Sequence, residues 1–302
     1  MTSQPLDRQA LGRRLTMLAN ADAGSLQSIC SSQRTHQARR VGITGAPGAG
    51  KSTLVAKLAL HRSSRGRLGI LAIDPSSPRT GGAVLGDRIR MDELNVADEV
   101  FIRSIASRST SDGLADNLPE MLDAMDDFEF DEVLLETVGV GQAEYAVKLQ
   151  VDTLVLVVLP DSGDMVQAMK AGIAELADIF VVNKADLPGA SRMLNDIQRI
   201  ASIQRYRPDE WKPPVLLTSA SDPKSVESLS SAIDLHQSWA VSKAAERLIE
   251  RSRYNVRRIV ERRTARFLSG QGTEFFEAPL EIQLAKIATE LRGASSENEK
   301  AR

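Results

Sequence analysis

A glycine-rich stretch in the first fifth of the chain has the residue types and spacing of a phosphate-binding loop. Residues 45–53 read Gly-Ala-Pro-Gly-Ala-Gly-Lys-Ser-Thr and complete the pattern G-x-x-x-x-G-K-[ST]. The run Arg40–Thr44 before it reads as a short buried strand, and apolar residues recur at helical spacing after it. In this context the backbone N–H groups and the positive end of the helix face a phosphate. We expect Lys51 to reach the β- and γ-phosphates and Ser52 to ligate Mg²⁺.

The residues of this loop that we expect to bind nucleotide are Gly45, Ala46, Pro47, Gly48, Ala49, Gly50, Lys51, Ser52 and Thr53.

A second motif distinguishes guanine from adenine. Asn183-Lys184-Ala185-Asp186 directly follows the predicted strand Ile179–Val182. The Asp186 carboxylate can accept hydrogen bonds from N1–H and the exocyclic amine of guanine, and adenine lacks both donors there, so polar mismatch discriminates strongly. We expect Lys184 to lay its stem over the base and Asn183 to tie this loop to the phosphate loop. Ser219-Ala220 sits where a backbone amide would meet guanine O6.

A third motif predicts a magnesium ligand and a nucleotide-sensing switch. Glu136-Thr137-Val138-Gly139 follows an apolar run and occupies the place of the usual Asp-x-x-Gly. A carboxylate at a strand end can hold Mg²⁺ through water, and the Gly139 N–H can meet the γ-phosphate, which makes Val138–Glu144 a candidate switch. Glu in place of Asp is a departure from Ras-like proteins.

The elements that must position these motifs form an alternating pattern. Short runs rich in Val, Ile and Leu, typical of strands buried on both faces, are separated by helical patterns, which predicts an α/β fold of the P-loop NTPase type with a doubly wound, mainly parallel sheet. The predicted strands are Val41–Thr44, Leu68–Ile73, Val100–Arg103, Glu132–Leu135, Thr153–Leu159, Ile179–Val182 and Val215–Leu217.

Helical extensions flank this pattern. We expect an N-terminal helical extension over residues 1–38, a GTPase domain over 39–240 and a C-terminal extension over 241–302 with a disordered tail. The C-terminal part reads as two helices separated by Gly270–Thr273, and the second must bury its apolar face on the core or on a second subunit, which favours a dimer. Seven arginines between Arg251 and Arg266 fit the solvated side of an amphipathic helix better than a nucleic-acid surface.

The composition is that of an ordinary globular protein. The 302 residues are 42% hydrophobic and 26% charged, with a net charge of −2, so nothing indicates a nucleic-acid or membrane partner. Cys30 is the single cysteine, and the three histidines show no metal-site spacing. The longest strongly apolar run, Leu154–Leu159, is far too short to cross a bilayer. Because Met1–Arg14 has no apolar core, we expect a cytoplasmic protein.

Taken together, these motifs resemble the metallochaperone-like P-loop GTPases that use Glu in the third motif. Longer strings are similar to the methylmalonyl-CoA mutase-associated GTPases, and the resemblance is close over roughly residues 38–240. The strings that carry it are Asp74-Pro75-Ser76-Ser77-Pro78 with Gly81-Gly82, Leu85-Gly86-Asp87-Arg88, Glu136-Thr137-Val138-Gly139-Val140-Gly141-Gln142, Lys170-Ala171-Gly172-Ile173 and Ala177–Lys184.

The resemblance implies a function and further site residues. It implies a homodimeric GTPase that binds Mg²⁺ and GTP or GDP and serves an adenosylcobalamin-dependent acyl-CoA mutase as a chaperone, gating cofactor delivery and protecting the mutase from inactivation. Asp74, Asp87 and Glu136 match carboxylates near Mg²⁺, and Lys170 matches a lysine of a third switch loop. A lysine on such a loop can stabilise charge in phosphoryl transfer. Gln142 is a candidate for orienting the attacking water. With no Gln directly after Gly139, slow hydrolysis without a partner is expected.

Several alternatives stay open from the sequence. Arg108–Gly113 departs from the glycine-richer turn of relatives, which leaves the identity of the mutase open. Some relatives carry an older label as kinases of an arginine/ornithine transport system, so a metabolite or protein kinase is one rival. A nickel-insertion GTPase and a nucleotide-gated scaffold with incidental hydrolysis are the others.

Overall fold

The computed structural model describes residues 5–22, 26, 36–75, 100–107, 117–137, 143–160, 175–203 and 206–299. The chain divides into two compact units. The first contains residues 1–19 and 33–244, and the second contains residues 20–32 and 245–302.

The first unit is built on a seven-stranded parallel sheet. Its strands are β1 Arg39–Gly45, β2 Leu68–Pro75, β3 Val100–Ser107, β4 Glu132–Glu136, β5 Thr153–Val158, β6 Ile179–Val182 and β7 Val215–Leu217. The strand order in the sheet is β3-β2-β4-β1-β5-β6-β7. All seven predicted strands are confirmed: β6 and β7 have the predicted ends, β1 to β4 are longer than predicted because the ladder continues beyond the apolar run, and β5 ends one residue earlier.

Helices cover both faces of this sheet, as a doubly wound fold requires. The described helices of this unit are α1 Arg8–Asn20, α2 Lys51–Arg62, α3 Leu118–Asp127, α4 Ala143–Gln150, α5 Ala190–Ile203 and α6 Pro223–Ala240. On one face, residues of α2 and α6 pack with the strand residues Val41 and Ile43 in a single apolar cluster. On the other face a Cβ on Gly42 would lie 3.1 Å from Val147 of α4, so glycine lets that helix approach β1 closely.

The expected N-terminal helical extension contains α1. Its side chains Leu11, Leu15 and Leu18 are buried and recur at helical spacing, and the Asn117 side chain donates to the carbonyl oxygen of Leu18 at 2.6 Å. Most of the remaining residues between 21 and 35 lie outside the described part of the chain.

Buried ion pairs hold the amino-terminal edge of the sheet. Arg62, at the end of α2, pairs with Glu132 of β4 at 2.6 Å and reaches Asp234 of α6 at 2.9 Å. Burial alone would raise the pKa of Asp234, but hydrogen bonds from Arg65 and Arg62 outweigh it and lower that pKa. Because the Arg62 side chain is fully buried, loss of its partners would leave an uncompensated charge in the interior.

A second polar cluster ties β5, β6 and α6 together at the same edge. His236 lies 2.8 Å from the Thr153 hydroxyl and 3.3 Å from Asp178, which also pairs with Lys148. Burial acts to raise the pKa of Asp178, but the hydrogen bond from His236 and the charge of Lys148 bring it below the ordinary value. Trp211 donates its indole N–H to the Asp178 carbonyl oxygen at 2.7 Å.

The second unit is helical and consists of α7 Ala244–Ser269, α8 Thr273–Glu277 and α9 Leu280–Glu299 in its described part. The break expected near Gly270 is present, but a short helix, α8, lies within the connection. Arg251 and Arg258 of α7 are buried, which corrects the expectation of a wholly solvated basic face. Both lie on one side of α7 with the buried Tyr254 because residues three, four and seven apart share a helix face.

None of the helices in the described ranges is long and apolar enough to span a bilayer.

Candidate functional site

The sequence motifs meet at the carboxyl edge of the sheet, beside the central strand β1. From β1 the chain continues to the β2 side of the sheet, and β5 begins the other side. Ligands of open α/β sheets bind at such a switch point, outside the carboxyl ends of the strands. The phosphate loop follows β1 directly, Glu136 ends β4, and Asn183 follows β6.

The phosphate loop depends on glycine at both of its ends. Gly45 has φ 141°, and a Cβ there would lie 2.0 Å from the Val157 carbonyl oxygen of β5. Gly50, at the N-cap of α2, has φ 82° and faces the Asn183 side chain, whose amide nitrogen a Cβ would approach to 2.6 Å. Larger residues would therefore strain the backbone and push the loop from its neighbours.

Lys51 is held across this loop. Its Nζ donates to the carbonyl oxygens of Gly45 at 2.8 Å and Ala46 at 3.0 Å, and the side chain is buried. These contacts hold the ammonium group at the start of α2, where the helix dipole contributes partial positive charge. The arrangement provides a preformed site for a phosphate group. The tip of the loop, at Pro47 and Gly48, is exposed.

Ser52 and Glu136 lie together beside the lysine. The Ser52 hydroxyl donates to Glu136 Oε1 at 2.7 Å, and both residues are buried. Their oxygens come from the first turn of α2 and the last residue of β4. A hydroxyl and a carboxylate at this separation are hard oxygen donors of the kind that Mg²⁺ prefers.

Asn183 connects the Asn-Lys-Ala-Asp turn to the phosphate loop and to the loop after β7. Its Nδ2 donates to the Ala49 carbonyl oxygen at 2.7 Å, and its Oδ1 accepts from the Thr218 hydroxyl at 2.9 Å. Thr218 is fully buried. Sequence reasoning did not select this threonine, although its place directly before Ser219-Ala220 was the available signal.

Asp186 and Ser219 also meet in the structure. The Ser219 hydroxyl donates to Asp186 Oδ1 at 2.9 Å, and Asp186 is exposed at the edge of the sheet. The Ser219 amide donates to the Ser225 hydroxyl at 3.1 Å, and the contact of the neighbouring Ala220 amide with guanine O6 stays a prediction. Lys184, two residues before Asp186, has φ 55°. This left-handed conformation is uncommon for residues other than glycine, and it makes the turn between Lys184 and Asp186 sharp.

Five predicted site residues have no side-chain description. Asp87, Gly139, Gln142 and Lys170 lie outside the described residues. Asp74 is described as backbone only: it lies near the carboxyl end of β2, two residues beyond Ala72, which pairs with Glu136. Its predicted role remains a prediction. The other candidates, from Gly45 to Thr53, Glu136, Asn183 to Asp186, and Ser219 with Ala220, gather at one edge of the sheet.

Comparison with known proteins identifies the family. The family model described as "Methylmalonyl Co-A mutase-associated GTPase MeaB" matches residues 12–271. The chain belongs to this MeaB family of P-loop GTPases. The sequence-based resemblance is thereby confirmed.

Individual relatives agree with this assignment. An inferred GTPase of Pyrococcus abyssi is 42% identical over 237 residues, which are 77% of this chain and 73% of that protein. The Mus musculus protein named methylmalonic aciduria type A homolog, mitochondrial, is 37% identical over 207 residues, 65% of this chain and 50% of its own. Among solved structures, a LAO/AO transport system kinase matches with a TM-score of 0.65 at 23% identity, covering 97% of this chain and 94% of that one. That likeness shows the shared fold.

Proposed function

We propose that this protein is a Mg²⁺-dependent GTP hydrolase that acts as a chaperone of an adenosylcobalamin-dependent acyl-CoA mutase. It gates loading of the cofactor and protects the mutase from inactivation. Two hydrogen bonds observed together support guanine-nucleotide binding: the Ser219 hydroxyl donates to Asp186, and the Asn183 side chain donates to the Ala49 carbonyl oxygen. One scaffold thereby presents a carboxylate for the base at a fixed position relative to the phosphate loop.

Each part of GTP has a candidate partner. The backbone of residues 45–50 surrounds the phosphates, Lys51 neutralises charge on the β- and γ-phosphates, and Thr53 adds a hydroxyl to the first turn of α2. Asp186 accepts from N1–H and the 2-amine of guanine, and the Ala220 amide donates to O6. ATP offers none of these donors at the base, so its binding leaves the carboxylate unpaired.

The residues present also fit a magnesium ion. Ser52 and Glu136 are within hydrogen-bond distance of each other and buried beside the phosphate loop, which is the chemistry of an oxygen-donor site. Ser52, Asp74, Asp87 and Glu136 are the proposed residues around the ion. When bound, Mg²⁺ supplies positive charge to the β- and γ-phosphates.

The segments that contain Gly139, Gln142 and Lys170, together with a partner protein, complete the catalytic site. In this proposal Gly139 meets the γ-phosphate, Gln142 orients water, and Lys170 contributes its charge when the mutase positions its loop. Hydrolysis is therefore slow in the isolated protein and changes when the partner binds. We further propose a cytoplasmic homodimer formed through the C-terminal helices, whose apolar residues Leu248, Val256 and Leu280 are exposed in the single chain.

The mutase role rests on the family. The matched family model carries association with methylmalonyl-CoA mutase in its description, and the mouse relative is named for methylmalonic aciduria. Since the sequence strings around Asp74 and Glu136 are similar to those of the same GTPases, we extend that association to this chain.

The decisive experiment is steady-state hydrolysis of GTP by the protein alone and with each candidate cobalamin mutase, with ATP as the control. We expect slow turnover of GTP alone, a change with one mutase, and no turnover of ATP. Glu136→Gln and Lys170→Ala are then compared for binding and turnover. GTP turnover that is indifferent to every mutase would remove the chaperone role, and phosphate transfer from ATP to a metabolite would favour the kinase alternative.

A further inference from the structure

Ser225 differs in burial and hydrogen bonding from the exposed serines of α6. It lies in the first turn of the helix, where Asp222 is the N-cap and accepts from the Lys224 amide at 3.1 Å. Ser225 is buried. By contrast, Ser228 and Ser231 are exposed and donate their hydroxyl groups to carbonyl oxygens four residues earlier in the same helix.

The Ser225 hydroxyl instead binds the backbone of Ser219, in the loop after β7. Its oxygen accepts the Ser219 N–H at 3.1 Å, and its own proton is directed to the Asp222 carbonyl oxygen at 2.6 Å. The Ser219 carbonyl oxygen lies 3.2 Å away as a second acceptor. One hydroxyl therefore contacts both backbone polar groups of Ser219.

Ser219 in turn holds the residue that reads the base. Its hydroxyl donates to Asp186 Oδ1 at 2.9 Å and lies 2.8 Å from the Ser221 hydroxyl. With the Ser219 proton on Asp186, Ser221 donates to Ser219. A continuous set of hydrogen bonds therefore runs from α6 through Ser219 to the carboxylate.

We infer that Ser225 is a positioning residue for guanine recognition, acting through Ser219 on Asp186 and on the Ala220 amide. The inference rests on the proposed function, because it assumes that this site binds guanine. Asp186 is exposed, and an exposed carboxylate gains little selectivity unless its rotamer is fixed before the base arrives. Ser219 fixes one oxygen of that carboxylate, and Ser225 fixes Ser219. The direction of the Ala220 N–H follows from the same backbone, since Ala220 is the next residue.

The test compares Ser225→Ala with Ser228→Ala, which removes the same group from an exposed site of the same helix. Binding of GDP and of IDP, which lacks the 2-amine, is measured with the full-length protein. We expect Ser225→Ala to weaken GDP binding about three- to tenfold, the effect of one lost hydrogen bond, and to weaken IDP less. The KM for GTP should rise with kcat unchanged, because the phosphate loop is untouched. Ser228→Ala should match the wild type in each measurement.

Two results separate failure of the Ser225 positioning role from failure of the proposed function. If the wild type prefers GDP to ADP and the folded Ser225→Ala variant keeps the wild-type ratio of GDP to IDP affinity, the positioning role is wrong while the proposed function stands. If the wild type does not distinguish GDP from ADP, the proposed function is wrong, and the positioning role of Ser225, which depends on it, is wrong as well. Should Ser225→Ala not fold, Ser225→Cys replaces it, because the thiol keeps the volume but is a weak hydrogen-bond partner. The same ratio then decides the outcome.

Discussion

The Asn183 side-chain nitrogen lies 2.7 Å from the Ala49 carbonyl oxygen, joining residues 134 positions apart in the chain. The other end of the same amide accepts from Thr218. One side chain therefore links three loops: the phosphate loop, the Asn-Lys-Ala-Asp turn and the loop after β7. Since both ends of the amide are used, neither Asp nor Leu can make both hydrogen bonds, and Asn183 holds the Asn-Lys-Ala-Asp turn against the phosphate loop.

Replacing Asp186 by Asn should change the preferred base. The amide can still accept from N1–H, but its NH₂ group faces the 2-amine of guanine, whereas xanthine presents a carbonyl oxygen there. We expect the affinity for GDP to fall about 100-fold and that for XDP to rise. Equilibrium titration with GDP and XDP measures this change in preference, and Asp196→Asn, at a half-exposed site of α5, is the matched control. Equal losses for both bases would contradict contact between Asp186 and the base.

Replacing Lys51 by Met should remove hydrolysis while leaving the fold intact. Met keeps an unbranched stem among the buried neighbours but lacks the charge that Lys51 places over the loop. We expect kcat for GTP to fall about 100-fold or more, as for loss of one preorganised charged donor. Phosphate release at saturating GTP measures it. Lys57→Met, on the same helix, should retain activity, and comparable loss in both variants would argue against a specific role.

Replacing Glu136 by Gln should raise the magnesium requirement. The change keeps the size of the side chain that accepts from Ser52 but removes its negative charge. We expect the Mg²⁺ concentration for half-maximal GTP hydrolysis to rise about 10- to 100-fold, whereas GDP binding without Mg²⁺ should change little. An unchanged Mg²⁺ dependence would place Glu136 outside the metal site.

The buried pair at the opposite edge of the sheet should matter for stability. Arg62→Met leaves Glu132 buried without its cation, so we expect the free energy of unfolding to fall by about 3–5 kcal/mol. Asp234 pairs with both Arg62 and the half-exposed Arg65. Arg65→Met removes the half-exposed partner and should lower the free energy of unfolding by about 0–1 kcal/mol. Urea denaturation followed by tryptophan fluorescence compares the two. A similar loss in the free energy of unfolding for both variants would contradict a larger contribution from the buried Arg62.

The Asp178 cluster should contribute stability that depends on pH. The pKa of Asp178 is lowered in the folded protein, so its stabilising contribution is present above the unfolded-state value of about 3.9. It is lost as the pH falls through the lower folded-state value, where the carboxylate takes up a proton. We therefore expect Asp178→Asn to lower the urea midpoint at neutral pH and to converge with the wild type in acid. Asp196→Asn, at a half-exposed site, is the control, and a stability difference between wild type and Asp178→Asn that stays constant at every pH would contradict the assignment.

Local patterns in the sequence predicted much of the fold and part of the site. The seven strands were found because parallel strands buried on both faces are short, apolar and rich in β-branched residues. The phosphate loop and the Asn-Lys-Ala-Asp motif were found because each is a contiguous string with a fixed chemical task. The buried arginines Arg251 and Arg258 were missed, since helical periodicity alone favours placing arginine in solvent.

What the sequence by itself determined is therefore the type of most elements and the groups that are predicted to face nucleotide. Only the tertiary structure decided which distant side chains hold those groups: Thr218 on Asn183, Ser219 on Asp186, and Ser225 on Ser219. The physical reason is that these hydrogen bonds join loops at the ends of different strands. Their meeting depends on the order β1-β5-β6-β7 in the sheet. Strands of nearly equal apolar composition do not encode that order in any local pattern.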